Sequence, residues 1–205
     1  MPQILRYLLT MLWGAVAALA AYLCLRPWRR KRLTDRGLVS PALREAALCL
    51  FWMFCGGMAL LTLTPRWTVS SFVDMLHGYP WNAGQQPFFR WGSYNLSPLR
   101  TFRQDKLILL GNLAMFIPFG FFTALLWRGW SRRRALLTGF AITAFVECWQ
   151  LLVGRAFDID DLLLNTLGVC CGHLLWRLLR RIRPKLTEKF HCQGQEYDKS
   201  EYSHD

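Results

Sequence analysis

Apolar residues in this chain come in five long blocks, without the two-residue alternation of a strand or the one-sided stripe of a soluble helix. The blocks are residues 4–25, 46–63, 107–127, 135–153 and 162–179. At about 1.5 Å per residue each can cross roughly 30 Å of hydrocarbon. The pattern predicts an all-α fold, a polytopic integral membrane helical bundle with about five transmembrane helices. It divides the chain into an N-terminal span with a basic loop (1–45), a membrane domain (46–185) and a polar tail (186–205) expected to be solvated and disordered.

Charge sharpens this picture. The net charge of +12 could suggest nucleic acid, but the basic residues sit at the ends of the apolar blocks, so no nucleic-acid partner is expected. Seven Lys/Arg lie between Arg26 and Arg44, four between Arg128 and Arg134, and seven from Arg177 onward, against seven on the other side. The positive-inside rule then places the N-terminus outside and the C-terminus in the cytoplasm, with Arg100, Arg103 and Lys106 running against it. The second loop, 64–106, is rich in Trp, Tyr and Phe, as expected of a segment in the headgroup region or of an ordinary ordered loop. The seven cysteines form no paired metal-binding pattern; they are expected to be reduced packing residues, with no metal or cofactor bound.

The polar residues inside the blocks are not scattered. Four acids, Glu147, Asp158, Asp160 and Asp161, fall within fifteen positions. Counted from the expected span ends, Asn112 lies roughly 8 Å below one surface, Gln150 about 4–5 Å, Glu147 about 9 Å and Asn165 roughly 6 Å. Arg155, Asp158 and Asp161 stand directly above them. Glu147 and Gln150 share one side of the fourth span. Asp161, Asn165, Gly168 and Gly172 form a stripe down the fifth, and its glycines have the spacing that permits close helix approach. Pro118 in the third span frees backbone groups that polar neighbours can satisfy. Asp158 or Asp161 is the expected partner of Arg155, which leaves Glu147 to Asn112, Gln150, Asn165 or water. Amides in membrane helices also serve as interhelical glue worth about 0.6–2 kcal/mol each, but a Glu in the same layer favours a functional site. His173 is expected to take a hydrogen-bonded packing role, and Arg177 to reach the interface along its stem.

These residues resemble the VanZ-like family. The matching pieces are Asn95-Leu96-Ser97-Pro98, the run from Gly111-Asn112 through Phe116, Pro118 and Gly120, then Glu147 with Gln150, Arg155 with Asp158 and Asp161, and Asn165 with Gly168. Their order is similar to the family pattern N-x-x-x-F-x-P-x-G, E-x-x-Q, R-x-x-D-x-x-D and N-x-x-G, over about residues 60–179. The resemblance implies a bacterial plasma-membrane protein of the cell envelope, and through the family's namesake it implies resistance to the glycopeptide teicoplanin. It implies no established reaction.

Two functions fit. In one, an outward-facing pocket formed by Asn112, Gln150, Arg155, Asp158 and Asn165 binds a membrane lipid headgroup, a lipid-linked cell-wall precursor or an amphipathic antibiotic. Arg155 would touch an anionic group. In the other, an integral-membrane hydrolase or transferase acts on a lipid-linked substrate, with Glu147 or Asp161 as general base and Arg155 stabilising developing negative charge. Proton or ion transport through Glu147 is disfavoured, because no polar path continues inward from it.

Overall fold

A computed structural model describes residues 3–65, 67–68, 75, 78, 87–97 and 106–194. Within them lie six helices and four two-residue strands: α1 (Gln3–Thr34), β1 (Leu38–Val39), α2 (Ala42–Leu63), β2 (Tyr94–Asn95), α3 (Lys106–Leu126), α4 (Arg132–Leu152), β3 (Phe157–Asp158), α5 (Ile159–Ile182), α6 (Pro184–Glu188) and β4 (Gln193–Gly194). Five helices, α1 to α5, are long and apolar enough to cross a membrane, as the five blocks predict, and the chain is a multi-pass membrane protein. An apolar block in hydrocarbon must satisfy its N–H and C=O groups internally, and a helix does so. The side chains are distributed accordingly. Leu137 and Phe145 point outward at 67% and 57% exposure, while Thr143, Glu147 and Asp160 are 0–1% exposed inside.

α1 packs along α2, and α3 and α4 pack along α5. Small residues set these distances. A Cβ at Gly168 would collide with the Leu113 carbonyl of α3, and one at Gly172 with that of Ile117, so the glycine stripe brings two backbones into contact. Midway along the bundle the Thr143 and Thr166 hydroxyls meet at 3.1 Å and tie α4 to α5.

At the arginine-rich end α1 runs past the expected span, through residues 26–34. Glu45, in the first turn of α2 and 5% exposed, explains why. Its carboxylate binds Arg29 and Ser40, accepts the Tyr22 hydroxyl at 2.9 Å, and lies 3.7 Å from Arg26 Nε. The negative charge also sits at the positive end of α2. The segment joining α1 to α2 is thus knotted to the bundle.

Residues 187–194, the first part of the expected tail, are packed. Thr187 is 2% exposed, Phe190 rests against the Leu126 and Trp176 clusters, and β4 pairs antiparallel with β1, Leu38 opposite Gly194. The remainder, 195–205, lies outside the described residues.

Removing the Glu45 charge strands Arg29. Glu45→Gln is expected to cost about 3 kcal/mol, read as a lower thermal midpoint in detergent, and Glu45→Gln with Arg29→Met to recover most of it. An unchanged midpoint for Glu45→Gln would show that the network does not hold α1 to α2.

Candidate functional site

The opposite, acidic end is organised by the way α2 stops. The last four carbonyls of a helix have no intrahelical donor, and Pro65 lies two residues beyond Leu63, where the helix ends. Three side chains from one short stretch close this end. Trp149 Nε1 donates to the Leu63 carbonyl at 2.7 Å and Gln150 Nε2 to that of Thr62 at 3.2 Å. Arg155 Nη1 donates to the carbonyls of Leu61 at 2.8 Å and Thr62 at 3.3 Å. A cation is also favourable at a helix carboxyl end. Arg155 was expected to pair with Asp158 or Asp161. Its Nη1 donates to the α2 carbonyls, its charge lies within electrostatic reach of Asp161, and both acids have amide partners.

The turn between α4 and α5 supplies those partners. Asp158 caps α5: its Oδ1 accepts the Asp160 backbone N–H at 2.9 Å, and its Oδ2 accepts Asn95 Nδ2 at 3.0 Å. The Asp158 backbone N–H donates to Glu147 Oε2 at 3.0 Å. Asp161 accepts a hydrogen bond from Asn112 Nδ2. Glu147, 1% exposed, accepts from the backbone of the α5 cap, a partner outside the expected set of Asn112, Gln150, Asn165 or water. Glu147, Asp158 and Asp161 lie within electrostatic reach of one another. Asn165 is 6% exposed, and its Oδ1 has no hydrogen-bond partner among the described residues.

Part of the long second loop completes this end. The Arg90 and Gly92 N–H groups donate to the Leu152 and Leu151 carbonyls at 2.9 and 2.7 Å, and the Phe157 N–H donates to the Ser93 carbonyl at 2.9 Å. β2 then pairs in parallel with β3, placing Asn95 opposite Asp158. Gly92 is required here, because a Cβ would collide with the Arg155 carbonyl oxygen. Phe89 meets Trp149 edge-on at 6.1 Å. The loop residues 66, 69–74, 76–77, 79–86 and 98–105 lie outside the described residues, Tyr79, Trp81 and Pro98 with them.

Of the residues singled out from sequence, the structure joins Asn112 to Asp161 and Asp158 to Glu147. It sends Gln150 and Arg155 to α2 and leaves Asn165 beneath the acids with an open acceptor. Sequence reasoning gave no role to Trp149 or Asn95. A Pro shortly after the second block, marking a helix end in need of donors, was the available signal for Trp149. His173, expected in a hydrogen-bonded packing role, is buried beside Trp176 with ring centroids 5.3 Å apart, and its Nδ1 has no hydrogen-bond partner among the described residues. No group of three or more His, Cys, Asp or Glu side chains is arranged to hold a metal ion among the described residues.

A family model described as VanZ/LLP1 matches residues 46–180, a range that contains every one of these side chains. No curated protein and no solved structure matches the chain significantly.

Asp158 serves as cap and as partner to Asn95, so Asp158→Ala should destabilise the protein by about 1–2 kcal/mol while Asp158→Asn loses far less. Trp149→Phe, which leaves a carbonyl without its donor, should cost about 1 kcal/mol. Thermal unfolding in detergent measures all three. Equal losses for Asp158→Ala and Asp158→Asn would mean that the charge, not the cap, is what matters.

Proposed function

Since the chain belongs to the VanZ/LLP1 family, we propose that it is a plasma-membrane protein of the bacterial cell envelope whose acidic end faces outward and binds a lipid headgroup, a lipid-linked cell-wall precursor or a glycopeptide such as teicoplanin. The supporting observation is an acceptor set with few donors. Asp158 and Asp161 are held in place by Asn95 and Asn112, and the buried Asn165 Oδ1 below them has no partner among the described residues. Such a set suits a ligand rich in hydroxyl or ammonium groups, as sugars and amino headgroups are. Arg155 and Gln150 act as positioning residues, their donors directed at the end of α2. The excess of Lys and Arg at the other end supports the orientation, with the N-terminus outside and the C-terminus in the cytoplasm.

The hydrolase or transferase reading draws less support. A general base must reach the proton that it abstracts, and Glu147 is 1% exposed and bonded to a backbone N–H. Asp161 is the better placed of the two acids but is engaged by Asn112.

One labelling experiment tests both orientation and binding. With the native cysteines replaced, a cysteine at exposed Ala156 should react with a membrane-impermeant maleimide in intact cells. Teicoplanin or a lipid-linked precursor should slow that reaction, and Asn165→Leu should weaken the protection about tenfold, the worth of one good hydrogen bond. Reaction only after permeabilisation overturns the orientation. Reaction in intact cells that neither ligand slows overturns the binding site.

A further inference from the structure

The arginine-rich end carries a second feature that the acidic end does not explain. A cleft of about 310 Å³ is lined by Trp176, Arg177, Arg180 and Arg181, all on the last turns of α5. The spacing from 176 to 180 and from 177 to 181 puts these side chains on neighbouring stripes of one helix face. Arg180 stands over the Trp176 ring, 5.4 Å from its centroid, and so is held toward the cleft. Trp176 is 8% exposed, and its indole Nε1 is buried with no acceptor among the described residues. Arg177, Arg180 and Arg181 are exposed, and none of them closes an ion pair among the described residues. A buried donor left unpaired costs free energy that a ligand acceptor can return.

The surroundings add positive charge. His191 is held below the ordinary histidine pKa by burial and then by Arg128, Arg44 and Arg180, with Glu188 opposing. Apolar side chains flank the cleft on the same helix: Leu174, Leu175, Leu178 and Ile182 are exposed as lipid-facing residues are. Guanidinium groups and an indole donor thus sit at the point where an apolar helix surface meets the arginine-rich boundary.

We infer that this cleft is a binding site for the phosphate of an anionic phospholipid, with the acyl chains lying along Leu174 and Leu178. Arg177, Arg180 and Arg181 neutralise the phosphate, Arg180 approaching from its stacked position on Trp176, and the indole N–H supplies a directed hydrogen bond. The continuity of the arginines with an exposed apolar stripe favours a lipid over a soluble phosphate. The site lies at the opposite end of the bundle from Asp158 and Asp161 and does not depend on the reading of that end.

Native mass spectrometry of the full chain in detergent, titrated with phosphatidylglycerol, tests the inference. The wild type should retain phosphatidylglycerol in preference to phosphatidylcholine, and inorganic phosphate should not displace it. Arg180→Gln and Arg181→Gln should each weaken retention about fivefold, the worth of one basic side chain near an anionic headgroup. Trp176→Phe, which keeps the ring and deletes the N–H, should weaken it by a smaller factor. Arg36→Gln, an exposed arginine at the same end but away from the cleft, should leave it unchanged. Equal retention by wild type and by the double variant R180Q/R181Q overturns the site. So does an equal loss in Arg36→Gln, which would indicate diffuse surface charge, or displacement by inorganic phosphate, which would indicate a soluble anion.

Discussion

A helix that stops leaves its last carbonyls without donors, and in or near hydrocarbon water cannot supply them. The end of α2 is this protein's instance of the problem, and much of the acidic end follows from the solution. Trp149, Gln150 and Arg155 carry the donors, so the end of α4 and the turn behind it must lie against Leu61, Thr62 and Leu63. Once that turn is fixed, Asp158 is placed to cap α5, and Glu147 holds the cap from below through its backbone N–H. The carboxylates of Asp158 and Asp161 then accept hydrogen bonds from the neutral amides of Asn95 and Asn112.

The two ends of the bundle handle charge in opposite ways. At the acidic end, several carboxylates rest on amides and backbone N–H groups, with Arg155 Nη1 on backbone carbonyls. At the arginine-rich end, Glu45 alone gathers Arg29, Ser40 and Tyr22, while Arg177, Arg180 and Arg181 line a cleft. Between them the interior is joined by close glycine contacts and by the Thr143–Thr166 pair, which need no charge at all.

The five helices were legible because hydrocarbon imposes a length and an apolarity that few other constraints produce, and the glycine stripe on α5 was legible because close approach has a fixed spacing. The convergence of Asn112, Glu147, Asp158 and Asp161 at one end of the bundle could also be read from their positions along the helices. Partner choice could not. Charge favours Arg155 with Asp158, but the carbonyls at the end of α2 belong to the backbone, and a sequence does not show which helix end will lie beside which arginine. Trp149 was passed over for the same reason, since an indole in an apolar block reads as packing until a bare carbonyl is found beside it. Glu45 was passed over because it stands at the edge of a basic loop, where a lone acid resembles ordinary surface. The packed segment 187–194 was hidden by its polar composition; its anchors are Thr187, Phe190 and a two-residue strand, too short to leave a pattern.

The acidic end is ordered by the position of the Arg155 guanidinium. Solid-state NMR of lipid-reconstituted protein, with ¹³C at threonine carbonyls and ¹⁵N in arginine guanidinium groups, tests it directly. A dipolar contact between the Thr62 carbonyl carbon and Arg155 is expected, and it should disappear in Arg155→Lys. No such contact, together with one from Arg155 to a ¹³C-labelled carboxylate of Asp158 or Asp161, would contradict it.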